Sequence, residues 1–516
     1  MKKNISLLIA AFLTLSSAYG CAEQKKDYVS IDENSFITEY SETVEDTYSE
    51  TKNDGLELYE KLFSLDNKIS VNIFMSKEEI GKLQDDFITY TENDESTKSD
   101  IYRKADVTFT IGNDSYTVEE VGIRLKGNMS LAPLYDYDGK PNICSFKLSF
   151  DETFDDKNDY GDDIKKWSSS EERDKRKKRT FATMEELDVK WNISYDQTNI
   201  REIYATKLFE ATDSLVQKIG LSQLQFNGNN YGLVKIYEPV DKKFLEKRLP
   251  ESALGGDLYK CMWSECDNSG NRTGRWRGVK YTKDNSYGIQ NNPEGKKFNF
   301  NLKTNKKTSK NESLIKFLDV VNKNDLTKDE LESVLDTDGF AGFMAAEYFA
   351  GDPDDIRNNY NNHYIYFRKD NGKALFIVYD NDRTMGITRG LNKNCAELDP
   401  YSNRAVCADR QENPLIKDTI TTKAKPAFTY IRDKYTEKLK MLSESDMMKS
   451  DDDFNKMYEK AKANYEDIIT PYITFANQED NFTFSLEGNK DGGDMENMSF
   501  EQFRSQIMNT YSSSKL

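Results

Sequence analysis

The sequence predicts an α+β fold, because strand periodicity crowds its first half and helical periodicity dominates its second. Alternating apolar runs recur between residues 65 and 237, with one helical stretch among them. After residue 312 the apolar residues return at helical spacing, interrupted by one strand pair near residues 363–379. The 516 residues suffice for two or three sizeable cores. Only 37% of them are hydrophobic and 31% are charged, yet aromatics reach 12%, which indicates a folded protein with a heavily solvated surface rather than a disordered chain. A formal charge of −18 opposes nonspecific binding to nucleic acid.

The basic start Met1-Lys2-Lys3, the apolar run Ile5–Leu15 and the small residues up to Gly20 read as a secretory signal over residues 1–21. Gly20 before Cys21 suggests a lipoprotein site with acyl chains on Cys21, so export is expected, as a cell-surface lipoprotein or a secreted protein. That lipid would be the chain's only contact with a membrane. Residues 22–62 are acidic and polar, a flexible tether. The folded part begins near Leu65 with a strand at Ile69–Phe74 and a short helix capped by Ser76. Strands follow at Ala105–Ile111, Tyr116–Lys126 and Cys144–Phe150, then an exposed charge-dense insertion over residues 151–179.

A helix starts at Asn199, and Asn227-Gly228-Asn229-Asn230 turns a hairpin. Helices are predicted at Val240–Arg248, Glu312–Val321, Asp325–Leu335, Thr337–Phe349, Ala424–Met441 and Asp451–Tyr472. Between them His363–Arg368 and Ala374–Tyr379 form a hairpin, and the tail from Gly488 reads as loosely ordered. Of the five cysteines other than Cys21, Cys261 with Cys266 and Cys395 with Cys407 are the expected local pairs, leaving Cys144 free.

His363 is the only histidine, which removes any two-histidine metal site and disfavours most hydrolytic and acyl-transfer mechanisms. The densest chemical constellation is Gly351-Asp352-Pro353-Asp354-Asp355, then Asn358 to His363, the hairpin, and Tyr379-Asp380-Asn381-Asp382-Arg383-Thr384-Met385-Gly386. The hairpin should bring both acidic loops to one end. Two carboxylate clusters with interleaved Asn amides offer hard oxygen ligands that suit magnesium or calcium. A purely structural calcium site is the alternative reading.

These runs resemble the signature of the CotH (spore coat protein H) kinase family, in which Gly-Asn-x-Asp precedes Asn-Asn-Tyr-Tyr-Leu-Tyr. A Trp-Asp-x-Asp-x-Thr-Phe-Gly element follows after a strand. Four more stretches are similar, in the same order: Val121–Ser130, Ser145–Phe150, Asn230–Asp241 and Gly256–Lys260. The resemblance implies a protein-kinase-like two-lobed fold, with a β-rich N-lobe over residues 63–240. A mainly helical C-lobe over residues 241–480 would carry a small hairpin at the active site, followed by a C-terminal tail at 481–516.

The same resemblance implies transfer of the ATP γ-phosphoryl group to Ser or Thr of surface or secreted proteins, with magnesium or manganese and with calcium as the alternative ion. Asp354 would be the catalytic base and Asp380 the metal-binding aspartate, with Asn362 and Asp382 completing the metal shell. Lys147 would pair with the phosphates and Glu202 with Lys147. Arg124 and Lys126 are rival phosphate contacts, and Glu238 would help to hold the nucleotide. Asp352 replaces the family's Asn, Asp355 adds charge, Tyr379 stands for Trp and Met385 for Phe. A non-catalytic surface, coat-assembly or adhesion protein is the competing reading, and a calcium-stabilised polysaccharide binder a third.

Overall fold

The computed structural model describes Tyr28, Tyr48 and the chain from Lys52 to Ser514. Residues 93–98, 128–129, 267–271, 283–288, 291–298, 388–394, 403–414, 417–418, 420–424, 478–481 and 491–495 are excepted. The signal segment, Cys21 and Cys407 lie outside the described residues.

Helix α1 (Lys52–Leu62) leads into strand β1 (Ile69–Phe74), where Ile69, Val71 and Ile73 are buried in strict alternation. Helix α2 (Lys77–Phe87) is capped by the Ser76 hydroxyl, which accepts from the Glu79 N–H at 3.2 Å. Next come β2 (Arg103–Ile111), β3 (Asp114–Lys126), β4 (Ser145–Ser149), the short helix α3 (Ser170–Arg176) and β5 (Glu186–Trp191). Helix α4 (Arg201–Ala211), β6 (Ile219–Phe226) and β7 (Asn229–Tyr237) complete this part. The strands close into a barrel of order β1-β2-β3-β4-β5-β7-β6. Parallel pairing of β1 with β6, Val71 opposite Leu224, makes the closure. Val71, Phe109, Ile123, Phe146, Val189 and Ile236 belong to its buried core.

The second part opens with α5 (Lys242–Arg248) and β8 (Leu258–Cys261), followed by β9 (Ile289–Gln290), β10 (Phe300–Leu302) and α6 (Glu312–Val321). Helix α7 (Thr337–Ala350) precedes the hairpin β11 (His363–Phe367) and β12 (Ala374–Val378). Helices α8 (Pro426–Ser443), α9 (Asp452–Tyr465) and α10 (Phe500–Ser513) follow. Strands β9, β10, β8, β11 and β12 form one five-stranded sheet in that order. Helix α7 is apolar on almost every side and buried nearly throughout, packed against α4, α8 and β12.

The kinase-like two-lobed arrangement expected from the resemblance is therefore corrected. The protein is α+β, but its first strands form a closed barrel, and its second part carries a separate five-stranded sheet. Closure removes the free edges that an open sheet would leave, since β1 finds partners on both sides. Strand β5 is an addition, because no strand is expected between Phe150 and Asn199.

The charge-dense insertion is exposed as expected, its helix α3 burying no residue, while the C-terminal tail changes character. The charge-dense insertion binds the barrel: Arg176 and Arg179 donate to the Glu120 carbonyl at 3.0 and 2.9 Å, and Arg176 also pairs with its carboxylate at 2.7 Å. The C-terminal tail contains α10, capped by a reciprocal Ser499–Gln502 capping box, with Phe503 and Ile507 buried. Cys144 and Cys261 are buried free thiols, so the Cys261–Cys266 bridge is not formed.

Candidate functional site

Strand alternation places a row of charged side chains on the barrel face opposite its apolar interior. Arg124 on β3 lies across from Lys147 on β4, which lies across from Asp188 on β5, and Asp188 lies across from Tyr237 on β7. Their neighbours two residues along are Lys126, Glu186, Lys190 and, across from Lys190, Lys235. Interleaved Leu125, Phe146, Leu148 and Val189 point the other way into the core. Period-two patterning thus builds both the core and an electrostatic surface from the same strands.

That surface meets the second sheet. Lys260 on β8 sits over the Tyr379 ring at 4.1 Å, and Tyr364 and Tyr379 pack edge-on at 5.2 Å. Lys190 reaches across to donate to Asp380 at 2.6 Å. Asp380 follows β12 with φ of +57°, and Asn362, just before β11, has φ of +52°. These left-handed positions turn the chain sharply where it enters and leaves the open end of the hairpin. His363 pairs with Val378 in register, so the loops flanking them emerge together, and the Asn362 amide donates to the Asp380 carbonyl at 3.5 Å.

Asp354 accepts from the Asn359 and Asn361 amides and lies 3.8 Å from Arg383 in the other loop. Arg383 feels Asp354, Asp382, Asp352 and Asp380 in turn, so both acidic loops converge on it. The expected meeting of the two loops is present.

The electrostatics are strong. Burial pushes Lys126 down to about 7 despite Asp188, helped by Lys147, Lys190 and Lys260. Burial, with Lys303 adding repulsion, likewise holds Lys260 down to about 7. Desolvation opposes the charge of the half-buried Asp380, but Lys190, Lys260 and Lys126 hold its carboxyl well below the usual range. Burial lowers His363 to about 4, so the imidazole is neutral. Its Nδ1 lies 2.9 Å from the Asn361 carbonyl, and its Nε2 contacts the Tyr281 hydroxyl.

Three predicted site residues take other partners in the structure. Lys147 pairs with Glu186 and lies 3.5 Å from Asp188, not beside Glu202. Glu202, at the start of α4, is buried against Lys235 at 3.0 Å and the Tyr237 hydroxyl at 2.6 Å, because β7 rather than β4 faces that helix. Glu238 is consumed by Arg248 at 2.6 Å, Lys247 at 3.3 Å and the Lys218 N–H at 3.2 Å, so its carboxylate is a structural anchor. Of the rival phosphate contacts, Arg124 lies 3.7 Å from Asp100 and Lys126 is bonded to Asp188.

Among the described residues no group of three or more His, Cys, Asp or Glu is arranged to hold a metal ion. Asp380 and Asp382 supply two carboxylates, and the Asn362 amide donates to the Asp380 carbonyl. Magnesium needs no all-protein cage: it is usually bound by one or two carboxylates plus substrate phosphates and water, which Asp380 and Asp382 fit.

Sequence reasoning missed Lys190, Lys235 and Arg201. Arg201, fully buried, donates to the Met385 carbonyl at 2.8 Å and lies 3.2 Å from Asp196, tying α4 to the loop after β12.

A barrel with a lysine-rich face set against the open end of an acidic hairpin defines a class: an α+β protein that joins cationic and carboxylate groups at one junction. The chain belongs to the CotH kinase family, whose model, described as CotH kinase protein, matches residues 123–489. A kinase-type function goes with that membership. No match to the chain exists among curated proteins.

Proposed function

We propose that the protein transfers the γ-phosphoryl group of ATP to a Ser or Thr hydroxyl of a surface or secreted protein. The observation that carries the reading is the Lys190–Asp380 pair at 2.6 Å, which joins the barrel's lysine face to the loop that would hold the cation. Phosphoryl transfer asks mainly for positioning and charge neutralisation, and Lys126, Lys147, Lys190 and Lys260 supply positive charge where a polyphosphate would lie. Asp380 and Asp382 would hold a magnesium or manganese ion, which would neutralise charge on the phosphate oxygens. Asp354, oriented by Asn359 and Asn361, would take the acceptor's proton as its oxygen bonds to the γ-phosphorus. The bond to the β-phosphate oxygen breaks and ADP leaves.

Export through the N-terminal signal, with a lipid on Cys21, belongs to the same proposal and places the acceptor outside the cytoplasm. A second reading, a non-catalytic coat-assembly or adhesion scaffold, is favoured by one feature. Lys126, Lys147 and Lys190 already have carboxylate partners, and Arg383 sits beside Asp354.

Incubation with γ-labelled ATP and manganese or magnesium separates the two readings. The wild type should incorporate label, and Asp380→Ala and Asp354→Ala should each lose about 100-fold or more in rate. Equal labelling of wild type and Asp380→Ala would end the enzymatic reading.

A further inference from the structure

The added acid of the first loop, Asp355, has a partner that the proposed chemistry does not use. Glu347 is the acid in the buried stretch of α7, one turn before the helix ends at Gly351. Its carboxyl group lies within hydrogen-bonding reach of that of Asp355, and both residues are at most 2% exposed. Neither Glu347 oxygen meets a donor, and Asp355 Oδ2 meets none either. Two ionised carboxylates cannot remain in contact inside a protein with nothing between them.

Asp355 is also the hub of the loop. Its Oδ1 accepts from the Asn358 N–H at 2.6 Å, and its carbonyl accepts from the Asn359 and Asn361 N–H groups at 3.0 and 3.2 Å. Asn359 and Asn361 are the residues whose amides hold Asp354.

We infer that Glu347 and Asp355 share one proton, and that this acid pair is a positioning device that fixes the loop carrying Asp354. The inference rests on the proposed role of Asp354, but the pairing itself is tested without any phosphotransfer. The charged and titratable groups facing the pair are Asp352 and Arg357 from the same loop and Tyr435 from α8. Arg357 lies close enough to favour the ionised forms, but its guanidinium donates to the Asp399 and Pro400 carbonyls at 3.0 and 3.1 Å instead. Burial and the acidic neighbours keep Glu347 well above the carboxylate range, and burial raises Asp355 to about 7.

The sign follows from linkage. An acid that keeps its proton in the folded state after the unfolded chain has lost it stabilises less and less as pH rises past the ordinary carboxylate range. Wild type should therefore lose melting temperature between pH 6 and pH 9. Glu347→Gln, whose amide donates permanently to Asp355, should show a flatter profile, as should Asp355→Asn. In labelling assays the alkaline fall in rate should move to higher pH in Glu347→Gln, which a merely structural role would not produce.

Parallel melting profiles in wild type and both variants would overturn the inference. So would a melting temperature that calcium raises and chelator lowers in wild type but not in Glu347→Gln, because a cation would then replace the proton. If neither variant folds, infrared spectra of wild type at pH 8 decide: a protonated-carboxyl band supports the shared proton, and its absence removes it. Should phosphotransfer be missing from every variant, the melting and infrared results still judge the pair, and only the role of Asp354 falls.

Discussion

At the scale of single residues, the lysines of the barrel face are not equivalent. Lys147 is occupied by Glu186 and Asp188 within the sheet, whereas Lys190 crosses to Asp380 and lies 4.4 Å from the Tyr237 ring. Lys190→Met should therefore cost about 100-fold in labelling rate, and more than Lys147→Met, measured at saturating ATP. Lys126 and Lys260 act differently again. A lysine held down to about 7 takes up its proton only as pH falls through 7, so the site gains positive charge on acidification. ATP affinity should rise on the order of tenfold between pH 8.5 and pH 7, above the second phosphate pKa of about 6, and the rise should shrink in Lys126→Met. Titration of binding at both pH values checks this. The aspartates were legible in the sequence because their loops carry a dense, ordered pattern of carboxylates and amides. Lys190 and Lys235 were not, because a strand lysine has no local signal that says which helix or loop the sheet will bring opposite it.

At the scale of elements, the hairpin was the most readable part of the site and β5 the least. Lys369-Asp370-Asn371-Gly372 between two apolar runs announces a turn, and the register His363 to Val378 then obliges both acidic loops to share one end. Strand β5 has the same alternation in its sequence, with Leu187, Val189 and Trp191 against Glu186, Asp188 and Lys190. It stands close behind a charge-dense stretch that masks it in any composition window, so Asp188 and Lys190 went unassigned. Helix α4 shows what holds elements in place around the site. Arg201 is buried between Asp196 and the Met385 carbonyl. Removing its charge leaves the Asp196 carboxylate buried and uncompensated, so Arg201→Met should cost about 3 kcal/mol of stability in denaturant unfolding. Lys207→Met, on the same helix as Arg201, breaks only a half-exposed pair with Asp453 of α9 and should cost well under about 1 kcal/mol.

At the scale of the whole molecule, the closing contacts join residues far apart in the chain, and no local pattern encodes them. Val71 meets Leu224 to close the barrel, and the last helix returns to the site from the C-terminus. A Cβ on Gly351 would come within 2.6 Å of the Phe503 ring, and one on Gly386 would meet Phe503 at 3.2 Å. Both acidic loops therefore begin or end against the same aromatic side chain of α10. The Met498 N–H adds a hydrogen bond to the Gly386 carbonyl at 3.0 Å, and Phe500 stacks on Phe454 of α9 at 3.9 Å. Emptying that contact should loosen both loops at once while leaving the barrel's own core untouched. Phe503→Ala should cost about 3–5 kcal/mol, the usual penalty for a buried aromatic, and lower the melting temperature by several degrees. Phe503→Leu, which refills much of the space, should recover most of that loss and restore labelling, whereas a helix that served only as a loose tail would make both substitutions silent. Hydrogen exchange gives the sharper reading: in Phe503→Ala the amides of residues 352–361 and 380–387 should exchange faster together, while those of β2 and β3 keep their wild-type protection.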